Sequence, residues 1–393
     1  MHISRIRRRV RLLIIIVVIV ALITFIVSRF FIQPLNRMIT TNYNLVSFTD
    51  SYMEKHNQSI AVEIPQAFEL FHILAALAEE SSQQTQMLNR STAYWQEAAD
   101  FFAPYSDHPA VAHVHRLVQS RTLEALGRTF GFQIENSQLK ERGVHPVSDY
   151  FETYAIDRHL IEDFIAVSDF KSFFGLMENY YAYKMEIYTD LVPLAHMRTW
   201  LESHFSISHQ SYRVVLSPLL LGTQYTYLFR ETEGDWSEIV MCVPTVNHRY
   251  RELSQQGVIS EEQVHAFASL LVFTEIDHNY VNPVTDKFLN RLRISRIFAN
   301  RSAWHTGRGY NGAALIFNEY MTWGLYGLYC HDTYTEETRD AVIRTLNDTM
   351  HRRGFIRFAE FMEGILDIYD KRPVGKRIED LYGSILSMAA KFE

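Results

Sequence analysis

Thr274, Glu275 and His278 are the residues of this chain whose types and spacing point most directly to chemistry. On a helix, positions 274 and 278 lie four apart on one face, and Glu275 and His278 lie three apart and are neighbours. This is the layout of H-E-x-x-H, in which two histidines hold zinc and the glutamate beside the first activates a metal-bound water. Here the first histidine position is Thr274, while the glutamate and the second histidine are kept. Catalytic zinc normally takes three protein ligands and a water, and a neutral threonine hydroxyl is a poor ligand.

A third ligand in such sites comes from a glutamate on a later helix. Glu319, within Phe317-Asn318-Glu319-Tyr320-Met321-Thr322-Trp323, is placed for that part in a segment apolar enough to be buried. A buried carboxylate requires a metal, a cation or a set of donors, and bonds to neighbouring Tyr or Asn would also serve. With His278 and Glu319 as metal ligands, two routes complete the set. Glu275 can turn from base to ligand, since Glu-x-x-His is itself a metal-binding spacing, leaving Asp277 as base or ligand. Otherwise a histidine enters from elsewhere, with His265, His305 and His331 nearest in sequence. A degenerate, metal-free pocket is the third possibility. Tyr310, nine residues before Glu319, could supply a phenol to a developing oxyanion. His113 and His115 read as helical, where positions two apart diverge, and are set aside as a metal pair.

Stepping outward, residues 66–78, 88–103 and 110–126 carry helical patterns, a loop is expected around 135–146, and helical segments follow from about 148 to 205. Tyr212–Leu221, Tyr225–Arg230 and Ser237–Val243 read as strands of a small antiparallel sheet, separated by Gly222 and by Glu233-Gly234-Asp235. Tyr212–Leu221, with Pro218, is expected at an edge where an extended peptide could dock. Helical patterns return at 260–279, 283–298, 310–330, 335–352 and 355–369. The fold class is therefore α+β: a mainly helical domain over 61–393 with a small antiparallel sheet.

The first residues are different. Residues 1–11 are basic, and 12–32 form an apolar run of about the 20 residues that cross a bilayer as a helix. No small-x-small cleavage site follows. The expectation is a cytoplasmic basic segment over 1–11, an uncleaved single-pass signal anchor over 12–32 in a plasma or inner membrane, and a juxtamembrane spacer over 33–60. The domain beyond would then be extracytoplasmic. Residues 1–37 hold seven arginines and no acid, so the rest is more acidic than the net charge of −7. That makes nucleic acid a poor partner. Cys242 and Cys330 are the only cysteines, too few for a cysteine zinc site, and their spacing leaves a disulfide open.

Glu275-x-x-His278-x-Tyr280-Val281-Asn282-Pro283 resembles the H-E-F-x-H-x-F-V-N-P signature of an uncharacterised bacterial family of extracytoplasmic, gluzincin-like proteins known only as a domain of unknown function. Ile64-Pro65-Gln66-Ala67-Phe68-Glu69-Leu70, Tyr105-Ser106-Asp107-His108-Pro109, Trp200-Leu201-Glu202, Asn318-Glu319-Tyr320 and Gly354-Phe355-Ile356 resemble it in the same order, across residues 60–390. The resemblance implies a gluzincin-like fold, zinc or another divalent metal on His278 and Glu319, and Glu275 as base, with Thr274 departing from the pattern. It also implies a metallopeptidase-like hydrolase acting on peptide or protein. The alternative is a catalytically inactive pseudopeptidase that binds peptide or an envelope polymer.

Overall fold

In the computed structural model the described residues are 41, 43–78, 88–121, 123–147, 149–247, 249–294, 301–307, 310 and 312–392. The strands are β1 (Tyr43–Phe48), β2 (Ile60–Glu63), β3 (Phe132–Glu135), β4 (Gln138–Glu141), β5 (Val144–Pro146), β6 (Ser211–Ser217), β7 (Tyr225–Glu231) and β8 (Ser237–Pro244). The helices before the central sheet strands are α1 (Asp50–His56), α2 (Gln66–Leu77), α3 (Ala93–Phe102), α4 (Pro109–Arg121), α5 (Tyr150–Thr153), α6 (Arg158–Val167), α7 (Phe170–Leu176), α8 (Glu178–Leu191) and α9 (Leu194–His204). After them come α10 (Arg249–Gln255), α11 (Glu261–Lys287), α12 (Leu289–Ile294), α13 (Ala313–Thr333), α14 (Glu336–Arg352), α15 (Phe358–Asp370) and α16 (Ile378–Ala389).

The class is α+β. The sheet is mixed rather than antiparallel, with order β2-β6-β8-β7-β1-β5. Only the β7–β8 hairpin and the β1–β5 pair are antiparallel; β2–β6, β6–β8 and β1–β7 run parallel. The three strands expected from sequence form its middle, and the rest comes from segments read as spacer or loop. From residue 43 onward the expected spacer supplies β1, α1 and the first residue of β2, and the expected loop at 135–146 holds strand residues of β4 and β5. These strands are short and half-polar, so their pairing depends on the central strands already being in place. The edge position expected for Tyr212–Leu221 is also corrected. β6 lies between β2 and β8, is buried along its whole length, and stops before Pro218.

Alternation along the central strands gives each face its own partners. Tyr212, Val214 and Leu216 of β6 and Ile239, Met241 and Val243 of β8 join the core built with α11 and α13. Val215, Val240, Cys242, Tyr225, Tyr227 and Phe229 face the opposite way, with Phe48, Tyr52 and Phe130. Arg213 is 1% exposed on that second face, held by Glu63 at 2.9 Å and by the fully buried Glu238 at 3.2 Å. Arg142 also pairs with Glu63, at 2.8 Å. These pairs tie β2, β6, β8 and the turn after β4 together; removing one partner would strand a buried charge. Cys242 and Cys330 are buried free thiols.

α11 is the element that positions the candidate chemistry. Ser260 and Gln263 form a reciprocal capping box at its start, with Glu261 and Glu262 in the first turn and Lys287 in the last, as the helix dipole favours. It runs through Pro283, where sequence alone places a break between two helices. Proline removes the bond to the Asn279 carbonyl. His209 is buried nearby, its ring edge-on to Tyr280 with centroids 5.4 Å apart. Burial of Tyr280, Val281, Val284 and Thr285 around the proline holds the two halves in one continuous helix.

The membrane-anchor expectation is corrected. Among the described residues no helix is long and apolar enough to cross a membrane. Residues 12–32, which carried the expectation, lie outside the described residues. The longest described helix, α11, holds Glu261, Glu262, Glu275, Asp277, Asp286 and Lys287. Charges within a hydrocarbon core cost several kcal/mol each, about 2.5–3.5 for Asp or Lys at a helix centre. The single-pass, outward-facing placement is therefore not carried further.

Candidate functional site

α11 and α13 pack side by side, and two asparagines set their register. Asn318 donates to Asn282 Oδ1 at 2.7 Å, joining the Val281-Asn282-Pro283 and Asn318-Glu319-Tyr320 segments that sequence singled out. Asn279 donates to Thr226 Oγ1 at 3.0 Å, fixing the helix against β7. This register brings His278 and Glu319 together: Nε2 and Oε1 are 3.6 Å apart. His278 Nδ1 lies 3.5 Å from Asn282 Oδ1, a loose contact.

The other Glu319 oxygen is held by a residue that sequence reasoning missed. Arg353 donates to Glu319 Oε2 at 2.7 Å and to the Tyr310 hydroxyl at 2.7 Å. Its guanidinium also lies 4.7 Å from the Trp323 ring centroid and 5.4 Å from that of Phe355. Burial works against its charge, but Glu319 and Tyr310 outweigh burial and hold its pKa above the ordinary arginine value. Burial first, then the Glu319 carboxylate, push the Tyr310 phenol up, with Arg353 pulling the other way, so it stays protonated through the physiological range.

Arg353 is placed by the way α14 ends. The Phe355 amide bonds the Met350 carbonyl and the Gly354 amide bonds the His351 carbonyl, both at 2.9 Å. That is the Schellman pattern, and Gly354 takes the positive φ it requires, +92°. A side chain at 354 would meet the Gly307 amide at 2.7 Å. The turn is pinned on its other side by Thr306 bonding the Gly354 carbonyl and Ile356 bonding the Trp304 carbonyl. The sequence signal was Gly354 itself, a helix stop; what the stop delivers becomes visible only when α14 is laid beside α13.

Thr274 takes no part in the cluster through its hydroxyl. Oγ1 donates back to the Leu271 carbonyl at 2.9 Å, an internal bond of the helix. Glu275 is buried. Burial, and next the Glu319 carboxylate, push its pKa up to about 8, with Arg353 pulling the other way. Asp277, two residues on, lies about 200° around the helix from Glu275. It is fully buried, neither of its oxygens is paired with a side chain, and burial raises its pKa well above the usual range, with Glu275 and Glu319 adding to the effect. A charge on it would also act on Tyr382 of α16. The expected residues thus divide: His278 and, through Arg353, Tyr310 meet at Glu319, Glu275 is a buried acid that feels the Glu319 charge, and Asp277 lies around the helix from Glu275.

No nearby histidine completes a metal set. His265 bonds the Leu191 carbonyl at 2.9 Å, and His331 pairs with Asp370 at 3.0 Å. His305 packs against the rings of Phe355 and Tyr310, with centroids 4.5 and 5.2 Å away. Among the described residues no group of three or more His, Cys, Asp or Glu is arranged to hold a metal ion. The residues do not fit zinc: one imidazole and one carboxylate face each other, and that carboxylate already holds a guanidinium that would repel a divalent cation. Comparison with protein families, with curated proteins and with solved structures finds no match to this chain.

Proposed function

We propose that this chain is a peptidase-like binding protein that works without metal, taking an extended peptide beside His278 and leaving it uncleaved. The gluzincin-like resemblance of the α11 and α13 motifs supplies the peptidase-like part of this reading. One observation carries the departure from hydrolysis: Arg353 donates to Glu319 at 2.7 Å, where a metal ligand would have to be free. A guanidinium neutralises the carboxylate as a metal would, but it cannot lower the pKa of a water or accept a fourth ligand. The raised Glu275 pKa agrees, since a neutral carboxyl is not a ready base.

The peptide part rests on the sheet edge next to the cluster. β1 pairs with β7 only from Leu228 to Glu231, leaving Tyr225–Tyr227 without a strand partner on that side among the described residues. Thr226 in this stretch is bonded to Asn279, the residue after His278. An extended peptide added there would gain main-chain hydrogen bonds beside the stretch of α11 that carries His278.

The test is metal content of the purified full chain after zinc loading and dialysis, with a mixture of unstructured peptides assayed for both retention and cleavage. The expected result is no stoichiometric metal and retained, intact peptides. Stoichiometric zinc that disappears in His278→Ala and Glu319→Ala, together with cleavage, would overturn the reading and restore the hydrolase. Intact peptides that are not retained would overturn the binding role.

A further inference from the structure

A cavity of about 310 Å³ lies at the outer edge of the sheet, walled by β1, the end of β5, α5 and the helical turns Leu123–Gly131. It exists because β5 is short. β5 pairs with β1 only over Val46–Phe48, and once the Val147 amide has met the Leu45 carbonyl at 3.4 Å the chain turns into α5. Tyr43 and Asn44 are left without a strand partner on that side among the described residues. Large apolar side chains are exposed here: Tyr43, Leu45 and Val147 line the cavity and are 44, 52 and 70% exposed. The inner wall is apolar as well. Val46, Val144, Phe130 and Phe229 belong to one buried cluster, and Phe130 meets Phe229 edge-on with centroids 5.4 Å apart. Phe132 and Tyr150 are tilted against each other at 5.8 Å. These rings are turned towards one another and leave no parallel slot between them, so the wall suits a flexible chain better than a flat ring.

Most of the polar lining is already paired. The Tyr150 hydroxyl donates to the Ala125 carbonyl at 3.1 Å, and the Gly131 carbonyl accepts from the Arg142 amide at 2.8 Å. Asn44 donates to the Leu228 carbonyl at 3.4 Å and accepts from Arg128 Nη2. Tyr43, at the rim, has the Arg230 guanidinium 5.6 Å from its ring centroid. Arg128 is the exception. Among the described residues that line the cavity it is the one charged side chain. Its contacts are neutral: Asn44 Oδ1, and the Tyr154 ring with its centroid 6.0 Å from Cζ. Its Nε is buried and has no hydrogen-bond partner. No Asp or Glu among the described residues forms an ion pair with it, so the positive charge beside this apolar space is left without a counter-charge.

We infer that this cavity is a binding site for a medium-chain alkyl carboxylate, its chain against Val46, Phe130 and Val144 and its carboxylate on Arg128. The apolar wall takes the chain by burial. A guanidinium is the side chain best shaped to hold a carboxylate, and here it lacks only the negative charge. A primary amide of the same length would fill the wall equally but bring no charge to Arg128. The volume stands at the small end of the range for ligand sites, which fits a chain of about eight carbons. Neither Glu275, His278, Glu319 nor Arg353 lines this cavity, so the inference stands apart from the reading of the α11–α13 cluster.

The experiment is calorimetric titration of the full 393-residue chain with octanoate, octanamide, butanoate and 3-phenylpropionate. Octanoate is expected to bind saturably at one site, with the amide, the shorter acid and the aromatic acid each at least about tenfold weaker. Arg128→Met, confirmed as folded by its melting temperature, should bring octanoate down to the level of octanamide and leave the amide unchanged. Gly131→Leu tests the wall. Gly131 is buried, yet a Cβ there would meet no atom within 4 Å, so a larger side chain would grow into the cavity and should remove acid and amide binding alike. The ligand comparisons on the unaltered chain decide the matter even where a variant fails to fold. No binding of octanoate, equal binding of acid and amide or of long and short acid, tighter binding of the aromatic acid, or full retention by either folded variant would each overturn the inference.

Discussion

Glu275→Gln removes the ionisable proton of the buried acid and keeps its shape. In the fold the Glu275 pKa stands at about 8 against an ordinary 4.5, chiefly through burial. A carboxyl raised in this way contributes its full stability below pH 4.5 and loses it progressively as pH climbs through 8. At about 1.4 kcal/mol per pH unit, the loss over that window is on the order of 5 kcal/mol as a ceiling. Local rearrangement and water entry reduce such figures, so about 2–3 kcal/mol is the working expectation. The glutamine variant is free of this loss. Urea denaturation of both proteins at pH 5, 6.5 and 8 gives the comparison. At pH 5 the two should agree to within roughly 1 kcal/mol, and by pH 8 the variant should be the more stable by about 2–3 kcal/mol. Asp277 titrates in both proteins, and only the part of its shift that the Glu275 charge causes differs between them. A gap that stays the same from pH 5 to pH 8 would refute the reasoning. It would mean that Glu275 is ionised in the fold, as it would be beside a bound metal ion.

Two further outcomes concern Arg353 and the turn that presents it. Arg353→Met should leave the mostly buried Glu319 with no cation of its own and cost about 2–4 kcal/mol in urea denaturation. Adding Glu319→Gln should recover much of that, whereas additive losses would show that the two residues do not act as a pair. Gly354→Ala should lower stability by more than about 1 kcal/mol, because alanine at φ +92° is strained and its Cβ would press on the Gly307 amide. It should also perturb the fluorescence of Trp323, against which the Arg353 guanidinium rests; an unchanged stability and spectrum would show that the turn does not fix the arginine.

Much of the helical frame was legible in the chain. The helical patterns over 66–78, 260–279 and 335–352 are local features, and local features survive without tertiary context. The same holds for the three central strands, whose β-branched and aromatic runs need only be recognised as extended. β1, β2 and β5 were not legible, because short, half-polar strands take their conformation from the neighbour they pair with. The continuity of α11 through Pro283 was also hidden. A proline reads as a break until the packing around Tyr280, Val281 and Val284 is known.

The sequence by itself determined the triad of positions worth examining: Thr274, Glu275 and His278 on one helix, with Glu319 on a later one. Spacing along a helix is set by backbone geometry, and that is why the reading reached as far as His278 facing Glu319. What the cluster contains was decided by tertiary structure alone. Arg353 lies on neither helix, and only the packing of α14 beside α13, with a turn that needs Gly354, lays its guanidinium on the Glu319 carboxylate. Charge balance inside a protein depends on what comes together in space, and the cation here comes from the end of a neighbouring helix.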